Sequence, residues 1–276
     1  MNSVLTSLSS ISNELFKSIE KEVYRVIDDI VVIKTSVFNK VPIKPIMDSD
    51  VIIIIANSLI TFYFIYYIFT QLLSLYNGRR ADNIFNFTIK IILVYIAVNN
   101  GYDIIKMVIE LIEVFTNLID NLLSSITKEP ITFITLKDKI INMNNIEDTN
   151  LLSLNGIIKG IVYFGIVVVL INLSVRYVTI LLLIIVFPLM FCFVSSDLTS
   201  GIFNSYIKMF FISIFTQILF KFILFIPLSY KDTNDIFFKI ILVGSINLIY
   251  KINNLSKEIF SKFKSDNVRR NIFKNE

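Results

Sequence analysis

Residues 51–78 read VIIIIANSLITFYFIYYIFTQLLSLYNG, 28 consecutive positions without a charged side chain. About 20 apolar residues in an α-helix are enough to cross the hydrocarbon core of a bilayer. A transmembrane helix is therefore predicted over about residues 51–76. The whole chain has the same character, since 55% of its 276 residues are hydrophobic and only 17% are charged. Such a composition argues against an ordinary soluble domain and predicts an all-α, polytopic integral membrane protein.

Four further spans are predicted from apolar runs in the rest of the chain. They cover about residues 84–107, 157–175, 177–194 and 207–228, which makes five spans with the first. The 84–107 span contains three charged residues, so it crosses only if Lys90 reaches the headgroups and Asp103 pairs with Lys106; a re-entrant segment is the alternative. Residues 157–194 as one helix would be about 57 Å long, nearly twice the hydrocarbon thickness. Two spans meeting at a membrane face near Arg176 are therefore expected, with a single kinked span as the alternative.

The transmembrane domain is predicted to occupy residues 48–250, with the other segments around it. Residues 1–47 carry apolar side chains every three or four positions, which indicates an amphipathic helix. This helix either binds a partner or the membrane interface, or packs on its own chain. Residues 110–156 form an extended polar loop, and residues 236–250 are either an interfacial segment or a sixth span. Residues 251–276 form an amphipathic basic tail.

The distribution of basic residues predicts the orientation of the chain. Nine Lys or Arg lie in residues 229–276, against four in residues 104–156. Because Lys and Arg are enriched on the cytoplasmic side of membranes, the tail is expected in the cytoplasm. With five spans, the N-terminus is then outside.

The residue types argue against an enzyme. The chain has no His and a single Cys, which excludes histidine-based catalysis and an intrachain disulfide. The seven Gly are scattered, and the motifs G-x-x-x-x-G-K-[ST], G-x-G-x-x-G and G-x-S-x-G do not occur. We therefore predict no catalytic residue, no cofactor and no metal site.

Charged, amide and proline side chains within the apolar runs are the candidate structural or pathway residues, because polar groups in lipid are costly and need partners. They are Arg176, Pro188, Lys221, Asn99, Asn100 and Asp103. Lys221 either lines a polar pathway or extends to the headgroups near Tyr230 and Lys231. The amides expected to form hydrogen bonds between helices are Asn57, Gln71, Asn99, Asn100, Asn172 and Gln217.

Four arginines are candidate interfacial basic residues. They are Arg79, Arg80, Arg269 and Arg270. The pair in the tail would meet either anionic lipid or another phosphate group, since both attract the same charges.

Two longer stretches carry a resemblance. Residues 77–112 read NGRRADNIFNFTIKIILVYIAVNNGYDIIKMVIELI, and residues 176–223 read RYVTILLLIIVFPLMFCFVSSDLTSGIFNSYIKMFFISIFTQILFKFI. The first resembles the loop and second span of TrbL-like membrane proteins of conjugative type IV secretion systems. The second resembles the pattern in that family of an Arg leading an apolar helix, then a Pro, a Ser/Thr-containing turn and a further span. The matching positions are Arg176, Pro188, Asp197 and Thr199; the departures from the small residues usual after the Pro are Met190, Phe191 and Cys192.

The resemblance implies a non-enzymatic channel or platform subunit in the bacterial cytoplasmic (inner) membrane. Such a subunit assembles with copies of itself and with other secretion subunits and their ATPases. It helps DNA or protein cross the bilayer and contacts that cargo transiently. The alternative is a stand-alone transporter or permease for a small solute, a class that usually shows internal repeats.

Overall fold

The computed structural model describes residues 14, 16–78, 84–142, 154–196 and 198–272. Within these ranges the chain is helical and contains no β-strand. The α-helices are α1 (Tyr24–Val31), α2 (Val37–Lys40), α3 (Ile43–Met47), α4 (Asp50–Tyr76), α5 (Ile84–Asn99), α6 (Gly101–Thr127), α7 (Phe133–Asn142), α8 (Leu154–Cys192), α9 (Ser200–Ser229) and α10 (Ile236–Ile272). A π-helical turn (Ile19–Val23) precedes α1, and a 3-10 turn (Phe193–Ser195) follows α8.

Helix α4 begins and ends at local signals in the sequence. Ser49 has an extended backbone, and its hydroxyl accepts a hydrogen bond from the Ile52 amide at 3.5 Å, which caps the first turn. Asp50 in that turn complements the positive end of the helix dipole. After Tyr76 the chain reaches Gly78 at φ +67°, a left-handed conformation that glycine adopts at little cost. The span predicted at 51–76 is therefore one helix with nearly the expected bounds.

Three helical stretches are long and apolar enough to cross a membrane. They are α4 with 27 residues, Gly156–Ser195 with 40 residues, and α9 with 30 residues. A fourth crossing is available if α5 and α6, which are bent by 77° relative to each other, act as one broken span. The expectation of an all-helical chain with several membrane-capable helices is confirmed.

The two spans predicted at 157–175 and 177–194 are one continuous helix, so this prediction is wrong. Helix α8 runs from Leu154 to Cys192 and includes Pro188. The sequence around Arg176 contains neither Gly nor Pro to end the helix, and the prediction of a break rested on length and charge alone. Arg176 is only 4% exposed and lies inside a continuous helix rather than at a turn.

The span predicted at 84–107 is also not continuous. Helix α5 ends at Asn99, and α6 begins at Gly101 in a different direction. The side-chain amides of Asn99 and Asn100 each donate to a carbonyl of the last turn of α5, those of Tyr95 and Ile96, at 2.8 Å. These bonds are local to the end of α5, where side-chain amides compete with the backbone for its carbonyl groups.

The chain divides into two compact units. Unit 1 comprises Met1–Ile33, Val114–Val178 and Ile212–Glu276, and unit 2 comprises Lys34–Glu113 and Thr179–Phe211. The core of unit 2 includes Ala56, Ile60, Val94, Val98 and Cys192, so α4 and α5 pack together with the end of α8. The segment division predicted at residues 47 and 250 stays a prediction.

Unit 1 includes the first part of α10. Phe238, Leu242 and Ile246 of this helix belong to the buried core. A Cβ atom at Gly165 of α8 would lie 2.6 Å from Ile246 Cγ2, so the two helices approach closely at this glycine. Residues 236–250 therefore pack one face on the rest of unit 1, and α10 is not among the membrane-capable helices of the described chain.

The described part of the N-terminal segment packs on its own chain. Tyr24, Ile27 and Val31 of α1 are at most 2% exposed and lie in the core of unit 1. Burial raises the pKa of the Tyr24 hydroxyl above its usual range, and the carboxylate of Glu20 raises it further. Of the two alternatives for this helix, packing on its own chain is the one observed, while residues 1–13 lie outside the described residues.

Candidate functional site

A row of buried and half-buried polar side chains crosses the helices of unit 1, and we call it the polar ladder. It consists of Thr116 and Asp120 on α6, Arg176 on α8, and Gln217 and Lys221 on α9. Residues four apart lie on one face of a helix, so α6 and α9 each present two of these side chains in succession. Gln217 is opposite Thr116, and Lys221 is opposite Asp120.

Arg176 binds two backbone carbonyls of unit 1. Its Nη1 donates to the Val31 carbonyl at 2.9 Å, and its Nε and Nη2 donate to the Ser213 carbonyl at 3.0 and 2.7 Å. Val31 is the last residue of α1, where carbonyls have no partner within the helix and the dipole is negative. The guanidinium also lies 5.7 Å from the centre of the Phe220 ring. Arg176 therefore attaches the end of α1 to α8 and α9.

Gln217 completes this attachment. Its Oε1 accepts a hydrogen bond from the Ile33 amide, and its Nε2 donates to Thr116 Oγ1, both at 3.2 Å. The chain leaves the helix at Val32, and residues 31–33 are buried. Backbone groups buried outside a helix need partners, which Arg176 and Gln217 supply. The expectation that Gln217 forms a hydrogen bond between helices is confirmed.

Lys221 forms a half-buried ion pair with Asp120. Its Nζ lies 2.8 Å from Asp120 Oδ2 and donates to the Ile131 carbonyl at 3.0 Å. Lys221 is 7% exposed and directs its ammonium group at protein partners. Its depth relative to the headgroups stays a prediction. The other carboxylate oxygen, Asp120 Oδ1, is buried and has no hydrogen-bond partner. Lys221 thus joins α9 to α6 and to the loop that follows α6.

Two charged side chains attach α7 within the same unit. The carboxylate of Asp28 on α1 accepts from the Phe133 and Ile134 amides at 2.7 and 3.0 Å, as a capping residue does at a helix N-terminus. Lys139 Nζ donates to the carbonyls of Leu228 and Tyr230 at the end of α9. Helix α7 is therefore held at its start by α1 and near its end by α9.

The structure places the other predicted residues in unit 2 or leaves them without a described environment. Pro188 is buried and packs on Gly101, where a Cβ atom would lie 3.1 Å from Pro188 Cγ. Asp103 is exposed, and Lys106 pairs with Glu110 at 3.9 Å rather than with Asp103 as expected. Of the candidate interfacial arginines, Arg79 and Arg80 lie outside the described residues. Arg269 and Arg270 lie on α10, but their side chains are not described.

The predicted residues thus fall into two groups. Arg176 and Lys221 belong to the polar ladder, whereas Pro188 lies beside the break that follows Asn99 and Asn100. Thr116 and Asp120 were not singled out from the sequence. Their spacing of four residues in a helical pattern, matched by Gln217 and Lys221, is a signal that would have found them.

The contacts of the polar ladder attach segments of unit 1 to one another. Arg176, Gln217 and Lys221 direct their polar atoms at backbone groups of the same chain and at one neighbouring carboxylate and one hydroxyl. Within the part of the chain that is described, no group of three or more Cys, Asp or Glu side chains is placed to hold a metal ion. Comparison with protein-family models, curated proteins and solved structures found no match to this chain.

Proposed function

We propose that this protein is a non-enzymatic channel or platform subunit of a conjugative type IV secretion machine in the bacterial cytoplasmic membrane. It works with copies of itself and with separate ATPases, and it helps DNA or protein cross the bilayer. Residues 77–112 and 176–223, which resemble the TrbL-like family, support this assignment. The membrane-capable helices α4, α8 and α9 agree with such a location.

The polar ladder is the observation that carries the proposal. A transporter for a small solute needs polar groups directed at the solute. Here the buried charges of Arg176 and Lys221 are directed at the carbonyls of Val31, Ser213 and Ile131. These charges hold segments of the chain together, which suits a scaffold subunit better than a solute-binding site. In the turn after α8, Thr199 likewise donates to the carbonyl of Phe193 at 3.0 Å.

Deletion of the gene in a conjugative donor tests the proposed function. We expect transfer to fall to background and to be restored by the wild-type gene, because the platform is assembled from this subunit. Affinity purification of the tagged protein from the same donor should recover other secretion subunits. Normal transfer by the deletion strain, or reduced uptake of a solute instead, would support the transporter.

For the topology we propose four crossings: α4, the broken pair α5–α6, α8 and α9. Segments that touch outside the bilayer must lie on the same side of it. Lys139 binds the carbonyl of Tyr230, and an even number of crossings must therefore separate them. The continuous α8 followed by α9 provides two crossings, whereas the five-span scheme provides three. Asp28 and Phe133 are likewise separated by two crossings.

The positive-inside rule supports the same topology. Four crossings place residues 1–49, 128–153 and 229–276 on one side, with 18 of the 26 Lys and Arg residues. The short connections 77–83 and 196–199 lie on the other side with only two. Since Lys and Arg are enriched in the cytoplasm, both termini are then cytoplasmic.

Cysteine labelling tests this topology. In a Cys192→Ser background we place single cysteines by Asp138→Cys, Asp232→Cys and Leu198→Cys, all at exposed positions. A membrane-impermeant maleimide added to spheroplasts should label the cysteine at position 198 only, because the other two face the cytoplasm. All three should react after permeabilisation. Different labelling of positions 138 and 232 in intact spheroplasts would exclude four crossings.

A further inference from the structure

Helix α6 has three different sides between residues 114 and 126. Successive residues are about 100° apart around a helix axis, which divides these positions into a buried, an apolar and a polar side. The buried side carries Thr116 and Leu123. The apolar side carries large side chains that are 52–66% exposed: Val114, Phe115, Leu118, Leu122 and Ile126. We call the polar side the polar stripe, and it consists of Asn117, Asp120, Asn121 and Ser124.

The polar stripe is open to the surroundings of the protein. Asn117 and Asn121 are exposed, and Ser124 is half-buried. The side chain of Asp120 retains 28% exposure although one of its oxygens binds Lys221. The stripe therefore contrasts with the apolar side of the same helix, whose large side chains are exposed too but form no hydrogen bonds.

Helix α6 runs alongside α9 at the level of the stripe. Thr116 contacts Gln217, and one turn further along both helices Asp120 contacts Lys221. With 30 residues α9 is about 45 Å long, and Gln217 lies about 18 Å from its end and about 26 Å from its start. The hydrocarbon core is about 30 Å thick, so Gln217 lies within it wherever α9 crosses. Asn117, which follows Thr116, then lies at the same depth.

We propose that the polar stripe of α6 lines a water-filled passage through the bilayer. An amide that faces acyl chains finds no hydrogen-bond partner, whereas water supplies both donors and acceptors. Polar side chains at this depth accordingly face a protein interior or a water-filled cavity. The two exposed sides of α6 therefore meet different media: the apolar side meets acyl chains, and the polar stripe meets water.

The chemistry of the stripe suits a hydrated, polar cargo that passes without being held. The charge of Asp120 is balanced by Lys221 at 2.8 Å, and the other three members of the stripe are neutral. Neutral amides and hydroxyls exchange hydrogen bonds with water or cargo, whereas an unpaired charge would hold an oppositely charged cargo more tightly. The inference rests on the crossings of α6 and α9 in the proposed function, and it assigns the wall of the passage to α6.

Cysteine accessibility in native donor membranes tests the proposal. In the full-length Cys192→Ser protein, single cysteines are placed on the stripe by Asn117→Cys and Asn121→Cys. The matched controls are Leu118→Cys and Leu122→Cys, each one position further along the helix and 56% and 66% exposed. A charged, water-soluble methanethiosulfonate is added to opened membrane fragments, where it reaches both sides. It reacts with the ionised thiol, so we expect positions 117 and 121 to react at least about tenfold faster than 118 and 122.

Two other patterns of reaction would overturn the proposal. Slow reaction at all four positions would mean that lipid or another protein covers the stripe. Equally fast reaction at all four would mean that α6 lies in water and not beside acyl chains. Two positions on each side keep the comparison valid if one variant does not accumulate in the membrane.

The outcome can be separated from that of the proposed function. If positions 117 and 121 react fast but deletion of the gene leaves conjugation intact, the passage stands and the secretion role fails. If deletion abolishes conjugation but the stripe reacts as slowly as the apolar side, the secretion role stands and the passage fails.

Discussion

Replacing Lys221 by Met is expected to lower the free energy of unfolding by about 3 kcal/mol. The substitution leaves the carboxylate of Asp120 without its counter-ion and the Ile131 carbonyl without its donor. Removing one partner of a buried ion pair costs about 3–5 kcal/mol. We expect the lower end, because the side chain of Asp120 retains 28% exposure. Denaturant unfolding of the protein in detergent micelles measures the change.

Two further variants distinguish the effect of breaking this ion pair from the general effect of removing a lysine charge. With Lys221→Met and Asp120→Leu together, no charge is left unpaired, so the loss should shrink to about 1 kcal/mol, the cost of the Ile131 carbonyl. Lys106→Met removes a lysine side chain from an exposed ion pair. In this pair the side chains of Lys106 and Glu110 are 45% and 52% exposed. It should cost less than about 1 kcal/mol. Equal losses in the Lys221→Met single and double variants would show that the pair is not coupled.

Replacing Arg176 by Met is expected to release the N-terminal segment from the rest of unit 1. The carbonyl of Val31, 145 residues away, loses its only described donor, and an unpaired buried carbonyl costs about 1–3 kcal/mol. A loss of about 2 kcal/mol corresponds to roughly 30-fold more frequent opening of α1. Limited trypsin digestion should therefore cut faster after Arg25 and Lys34, which flank the attached stretch.

Two further variants define the role of Arg176. Arg176→Lys should rescue little, because one ammonium group cannot reproduce the planar set of donors that binds the Val31 and Ser213 carbonyls together. Lys208→Met removes an exposed basic side chain from α9 and should leave the digestion unchanged. Unchanged digestion of Arg176→Met would contradict the attachment.

Local sequence was a good guide wherever local interactions decide the structure. The uncharged run at 51–78 predicted α4 with nearly correct bounds, because helix length and hydrophobicity are local properties. Gln217 was correctly expected to bond another helix, since an amide in an apolar run has few other options. The same local pattern did not say which helix it would meet.

The prediction that used charge as a marker of a turn failed. Arg176 was expected at a turn between two spans, but it lies within α8, and both Arg176 and Lys221 have protein partners in unit 1. The length of the apolar run 157–194 also led to a wrong prediction, that of a break within α8. A helix longer than the bilayer is thick does not have to turn, since it can tilt or extend beyond the lipid.

The sequence by itself determined that this protein is helical, that several of its helices are membrane-capable, and where α4 begins and ends, because these follow from runs of neighbouring residues. Only the tertiary structure decided the partners of its buried charges. Arg176 meets Val31 and Lys221 meets Asp120 across 145 and about 100 residues of chain. Such contacts depend on how helices pack, and periodicity along one helix carries no record of the helix that faces it.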